Sequence, residues 1–139
     1  MSSLINRLSI DNVFLVDALG ALYTSTVLIC MYAFVPALAG IPKNILLTLA
    51  VVAFGFALYS AGSHRAAVYK KRMLLILIAI ANLGYISLTT YFVIVYIPTM
   101  HWLSKTHFIL EILVVFALAA VEISIVLKTK NHDTPLPTK

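Results

Sequence analysis

Residues 73–97, MLLILIAIANLGYISLTTYFVIVYI, carry no aspartate, glutamate, lysine or arginine; Lys70, Lys71 and Arg72 stand directly before them and Pro98 directly after. At 1.5 Å of rise per residue the stretch would extend about 37 Å as a helix, more than the roughly 30 Å of a bilayer's hydrocarbon core. An open strand in lipid would leave its backbone groups without partners, so the stretch reads as a membrane-crossing helix. Stretches at about 13–35, 45–62 and 107–127 have the same character, and the chain resolves into four spans. Pro36, Gly40 and Pro42 close the first, the run from Gly62 to Arg72 closes the second, and Pro98 closes the third.

Composition agrees. Of 139 residues, 62% are hydrophobic and 11% charged, and the mean hydropathy is +1.02. The expected fold is all-α: one antiparallel four-helix membrane bundle over residues 1–127, with 128–139 a disordered polar tail. The first 13 residues are mixed in polarity and the first apolar run is long enough to remain an anchor, so no cleaved signal peptide is expected. The net charge of +5 does not point to nucleic acid, because the basic residues sit at the ends of apolar stretches, where they meet headgroups and set orientation.

Arg7, Arg65, Lys70, Lys71, Arg72, Lys128, Lys130 and Lys139 fall on one side of the four spans, and only Lys43 and Lys105 on the other. The positive-inside rule then places both termini and the middle loop in the cytoplasm, with Tyr32, Tyr96 and Trp102 at the outer interface. Arg65, Lys70, Lys71 and Arg72 form a basic loop suited to anionic lipid. Leu19-Gly20 with Ser25-Thr26 recurs 64 residues later as Leu83-Gly84 with Thr89-Thr90, the pattern expected of a parallel two-plus-two internal repeat.

Acidic side chains within a span are costly, so Asp17, Glu111 and Glu122 are the most informative residues. Helical periodicity puts His107, Glu111 and Glu122 on one face of the fourth helix. Comparable stripes are Asp17, Ala21 and Thr24 on the first helix, Thr48, Val52, Gly55 and Tyr59 on the second, and Asn82, Tyr85, Thr89 and Tyr96 on the third. One reading joins Asp17, Asn82 and Glu122, with Tyr59, Tyr85 and Thr24 nearby, into an ion, proton or ligand site, and sets Glu111 with His107 at the outer mouth. The plainer reading pairs Asp17 and Glu122 with the basic loop and lets Glu111 reach the outer interface, all three only fixing helix register. Ala18, Gly20, Ala21, Ser25 and Gly55 are more simply explained as small residues that let helices approach closely.

Cys30 has no partner for a disulfide. A phosphate-binding glycine loop, an HExxH metal site and a nucleophile motif are missing, and the four histidines are scattered, so neither metal nor cofactor is expected and enzymatic activity is disfavoured. The segment Asp17-Ala18-Leu19-Gly20-Ala21 resembles the opening of the first helix in short four-span proteins of bacterial inner membranes. That resemblance implies a bacterial inner membrane and nothing about the site. The leading functional expectation is an oligomeric proton or cation channel or transporter. The alternatives are a non-catalytic subunit or sensor that binds a partner membrane protein, and a small-molecule or lipid-modifying enzyme.

Overall fold

The computed structural model describes the backbone of residues 10–65 and 68–132 and, within them, the side chains of residues 12–37, 39–65 and 72–127. Four long helices account for most of it: α1 (Ile10–Phe34), α2 (Lys43–His64), α3 (Val68–Tyr96) and α4 (Trp102–His132), with a single helical turn at Pro36–Ala39. All four are long and apolar enough to cross a membrane, over Asn12–Phe34, Lys43–His64, Arg72–Tyr96 and Trp102–Leu127. No strand occurs among the described residues.

Proline sets most of the boundaries. Pro36 opens the short turn and Pro42 is the residue before α2, positions where a missing backbone N–H removes no helical hydrogen bond. Pro98 disfavours helix at the residue before it and stops α3 at Tyr96. Helix α4 starts five residues before the expected 107, because Ser104, Lys105 and Thr106 are polar without being helix breakers. Thr106 turns its hydroxyl back to the Trp102 carbonyl at 3.1 Å, within the helix. At its other end α4 continues through Lys128 to His132, into the stretch expected to be disordered, and residues 133–139 of that tail lie outside the described residues.

Two helix hairpins, α1–α2 and α3–α4, pack closely within themselves and touch each other more sparsely. The α1–α2 contact is made by small side chains, Ala50, Ala53, Ala57 and Ser60 on the buried face of α2, and Ser25 donates to the Ala50 carbonyl at 2.9 Å. Small residues are what allow helix axes to close up where lipid removes the hydrophobic drive. This face corrects the stripe expected on the second helix: Thr48, Gly55 and Tyr59 are exposed, and the inward residues lie one step round the helix from them.

The distribution of polarity is the reverse of a water-soluble domain. Asp17, Ser25, Ser60, Asn82, Thr89, Glu111 and Glu122 are buried, whereas Leu19, Tyr23, Phe34, Val51, Tyr91, Ile94 and Phe116 face outward. An apolar exterior around a polar interior is the arrangement that hydrocarbon surroundings favour. Two apolar clusters bracket the polar layer. Val13, Phe14, Leu75, Ile78 and Ile125 fill one end, where α1 begins and α4 finishes. Leu28, Leu46, Leu49, Val93, Met100 and Phe108 belong to the cluster toward the other end, where α1 is joined to α2 and α3 to α4.

At that second end Gly40 adopts φ +66°, a left-handed conformation. A Cβ at Gly40 would lie 2.4 Å from both the Met100 Cα and the Thr99 carbonyl oxygen. The Thr99 hydroxyl in turn donates to the Gly40 carbonyl at 2.7 Å, tying the two connections together.

Candidate functional site

Asp17 sits on α1 one turn after Val13 and Phe14 and is only 3% exposed. Ser60, on the buried face of α2, donates its hydroxyl to Asp17 Oδ2. From the other hairpin, Asn82 Nδ2 donates to Asp17 Oδ1 at 2.9 Å and to the two Glu122 oxygens at 3.3 and 3.2 Å. One amide therefore links two carboxylates that belong to different hairpins. All four helices contribute a residue to this layer, and Glu122 is fully buried. Low local dielectric strengthens such bonds and equally makes any unpaired member expensive.

A second group lies toward the connection end. Tyr85, one turn beyond Asn82 on α3, donates its hydroxyl to Glu111 Oε1 at 2.8 Å. His107 Nε2 stands 3.8 Å from Glu111 Oε2, beyond hydrogen-bond distance, and both atoms are buried without a hydrogen bond. Thr89 Oγ1, one further turn along α3, is buried in the same condition. Phe56 packs edge-on against the Tyr85 ring, centroids 6.1 Å apart, and fixes its direction.

Between the groups lies a cavity of about 70 Å³. Asp17 and Asn82 form part of its wall, as does Tyr85, and the remainder is apolar or aromatic, including Phe56, Val115 and Leu118. A space of that size holds roughly two water molecules. The sequence matches no family model, and neither curated proteins nor solved structures show a similarity to it. The site is therefore read from its own chemistry.

Of the residues expected at the site, Asp17, Asn82 and Glu122 meet directly, and Tyr85 and Glu111 meet each other, with His107 beside them. Thr24 is buried but joins neither group through a described hydrogen bond. Tyr59 is 39% exposed and lines an outer groove between α2 and α3 with Val52, Gly55, Leu77 and Ala81, away from the acids. Glu111 is bonded to Tyr85 inside the bundle rather than extended to an interface. The described hydrogen bonds of Asp17 and Glu122 run to Ser60 and Asn82; in the basic loop Arg65 is exposed, and the side chains of Lys70 and Lys71 lie outside the described residues. Among the described residues, no group of three or more histidine, cysteine or acidic side chains converges as a metal site would require.

Proposed function

We propose that this chain moves protons or small cations across a membrane, with Asp17 and Glu122 as one exchange site and Glu111 as a second. The observation that carries this reading is the cavity between them, whose wall is shared by Asp17, Asn82 and the Tyr85 that holds Glu111. Water-sized space between two buried acid groups is what stepwise transfer needs, and intramembrane acids facing a bundle interior mark such pathways. Ser60, Asn82 and Tyr85 supply hydroxyl and amide groups that orient the carboxylates and keep them hydrogen-bonded.

The burial of all three acids also favours transport over a role as a partner subunit, which would leave its charged groups on the lipid-facing side for another helix to cover. In the working arrangement the protein lies in a bacterial inner membrane with both termini cytoplasmic, and Arg65, Lys70, Lys71 and Arg72 meet anionic headgroups. Self-association would supply the enclosure that four helices alone provide only in part.

Reconstitution in liposomes tests the reading, with proton, sodium and potassium flux measured for the wild type, Asp17→Asn and Glu122→Gln. Flux that falls at least tenfold in either variant supports it. Folded wild-type protein that passes none of the three ions overturns it.

A further inference from the structure

Glu111 uses one carboxylate oxygen and leaves the other without a partner. Oε1 accepts from the Tyr85 hydroxyl, whereas Oε2 stands 3.8 Å from His107 Nε2, and both of those atoms are buried with no hydrogen bond. A buried carboxylate oxygen beside a buried ring nitrogen is costly when neither carries a proton, since both are then acceptors. A proton on Nε2 makes one the donor to the other, and a side-chain adjustment of about 1 Å closes the gap to hydrogen-bond length. The pair is arranged around one exchangeable proton.

The two residues differ in reach. The His107 side chain is 18% exposed and that of Glu111 3%, so with Nε2 buried the accessible part of His107 lies on its other atoms. His107 stands five residues into α4, about 7.5 Å of rise from Trp102, and Glu111 lies one turn, about 6 Å, deeper. Histidine thus joins an accessible edge to a buried nitrogen, and imidazole gains and loses a proton near neutral pH. The other titratable side chains at this end are Tyr32 of α1, Lys43 of α2, Tyr96 of α3, His101 of the connection and Lys105 of α4. None of them has a described hydrogen bond or ion pair with Glu111 or His107, and Lys43 lies over the Tyr32 ring instead.

We propose that His107 carries protons between the connection end of the bundle and Glu111. An imidazolium at His107 gives its Nε2 proton to Glu111 Oε2, leaving a carboxylic acid and a neutral ring protonated on Nδ1. Rotation of the ring then brings Nε2 to water or a buffer acid, from which it takes the next proton. The inference rests on the reading of Glu111 as an exchange site and supplies the route into it.

Stopped-flow pH jumps on the purified protein in detergent test it, read by the carboxylic-acid infrared band that Glu111→Gln removes. The band is expected to respond about tenfold or more slowly in His107→Ala and in His107→Gln, with free imidazole in the buffer restoring the rate in His107→Ala. The glutamine variant keeps an N–H for Oε2 but relays no proton, so it separates relaying from hydrogen bonding. A wild-type rate in either variant, a slowed rate that imidazole leaves unchanged, or folded protein without such a band overturns the proposal. Proton flux is read separately in liposomes: flux in the wild type with no slowing in His107→Ala removes this inference and leaves the transport reading, and slowing without wild-type flux does the reverse.

Discussion

Asn82 faces two carboxylates with one amino group, and its removal leaves both without that donor in the interior. Asn82→Ala is therefore expected to lower stability by about 2–3 kcal/mol in a denaturation series in detergent, and adding Glu122→Gln should recover part of the loss by removing one of the two charges. Additive losses in the double variant would refute that coupling. Tyr85→Phe removes a single hydroxyl and should cost less, about 0.6–1 kcal/mol, while reducing flux if Glu111 is a transfer station. At this scale Asp17, Asn82, Glu111 and Glu122 were legible because each interrupts a long apolar run, where a polar side chain must turn inward. Ser60 was harder to separate from Tyr59: neighbouring residues on a helix differ by about 100° in direction, and the larger polar ring drew attention from the hydroxyl that actually meets Asp17. The cavity wall had no signal in the sequence, since Val115, Leu118 and Ala53 look like any other apolar residues of a span.

Among the elements, the α1–α2 hairpin depends on smallness. Ala53→Leu would force a branched side chain into a buried position that is 2% exposed, with an expected loss of about 1–3 kcal/mol, whereas the same change at the exposed Ala33 should be near neutral; thermal unfolding followed by circular dichroism compares them. Gly40→Ala meets both a left-handed backbone and two backbone neighbours at 2.4 Å, so a loss of 2 kcal/mol or more is expected by the same measurement. Wild-type stability in that variant would show that the connection can rearrange freely. The proline-marked breaks made helix number and most boundaries readable in advance. The start of α4 was not, because hydropathy registers where a segment becomes apolar, while a helix begins wherever backbone bonding can, and Trp102 to Thr106 can bond.

For the molecule as a whole, the outward apolar surface makes insertion the state in which this polarity pattern is stable, and the distribution of lysine and arginine gives the direction to test. In a Cys30→Ser background, Asn44→Cys and Thr106→Cys should react with a membrane-impermeant maleimide added to intact cells, and Arg65→Cys only after the membrane is opened. The reverse pattern would invert the topology. Four helices followed from run lengths and the breaks between them; that they form two hairpins with the polar layer between them did not, because the choice of close partner rests on which small residues face which.

The bond from Thr99 to Gly40, with Met100 packed among Ala39 and Ile41, has a mechanical meaning for those hairpins. It fastens them at one end, so relative rotation has a fulcrum there. Asp17 lies about 25 Å from it along α1, taking 1.5 Å of rise per residue. Tilting one hairpin by about 5° about that point would part the facing groups near Asp17 by about 2 Å while scarcely moving the fastened end, a lever that loosens one end of the bundle only.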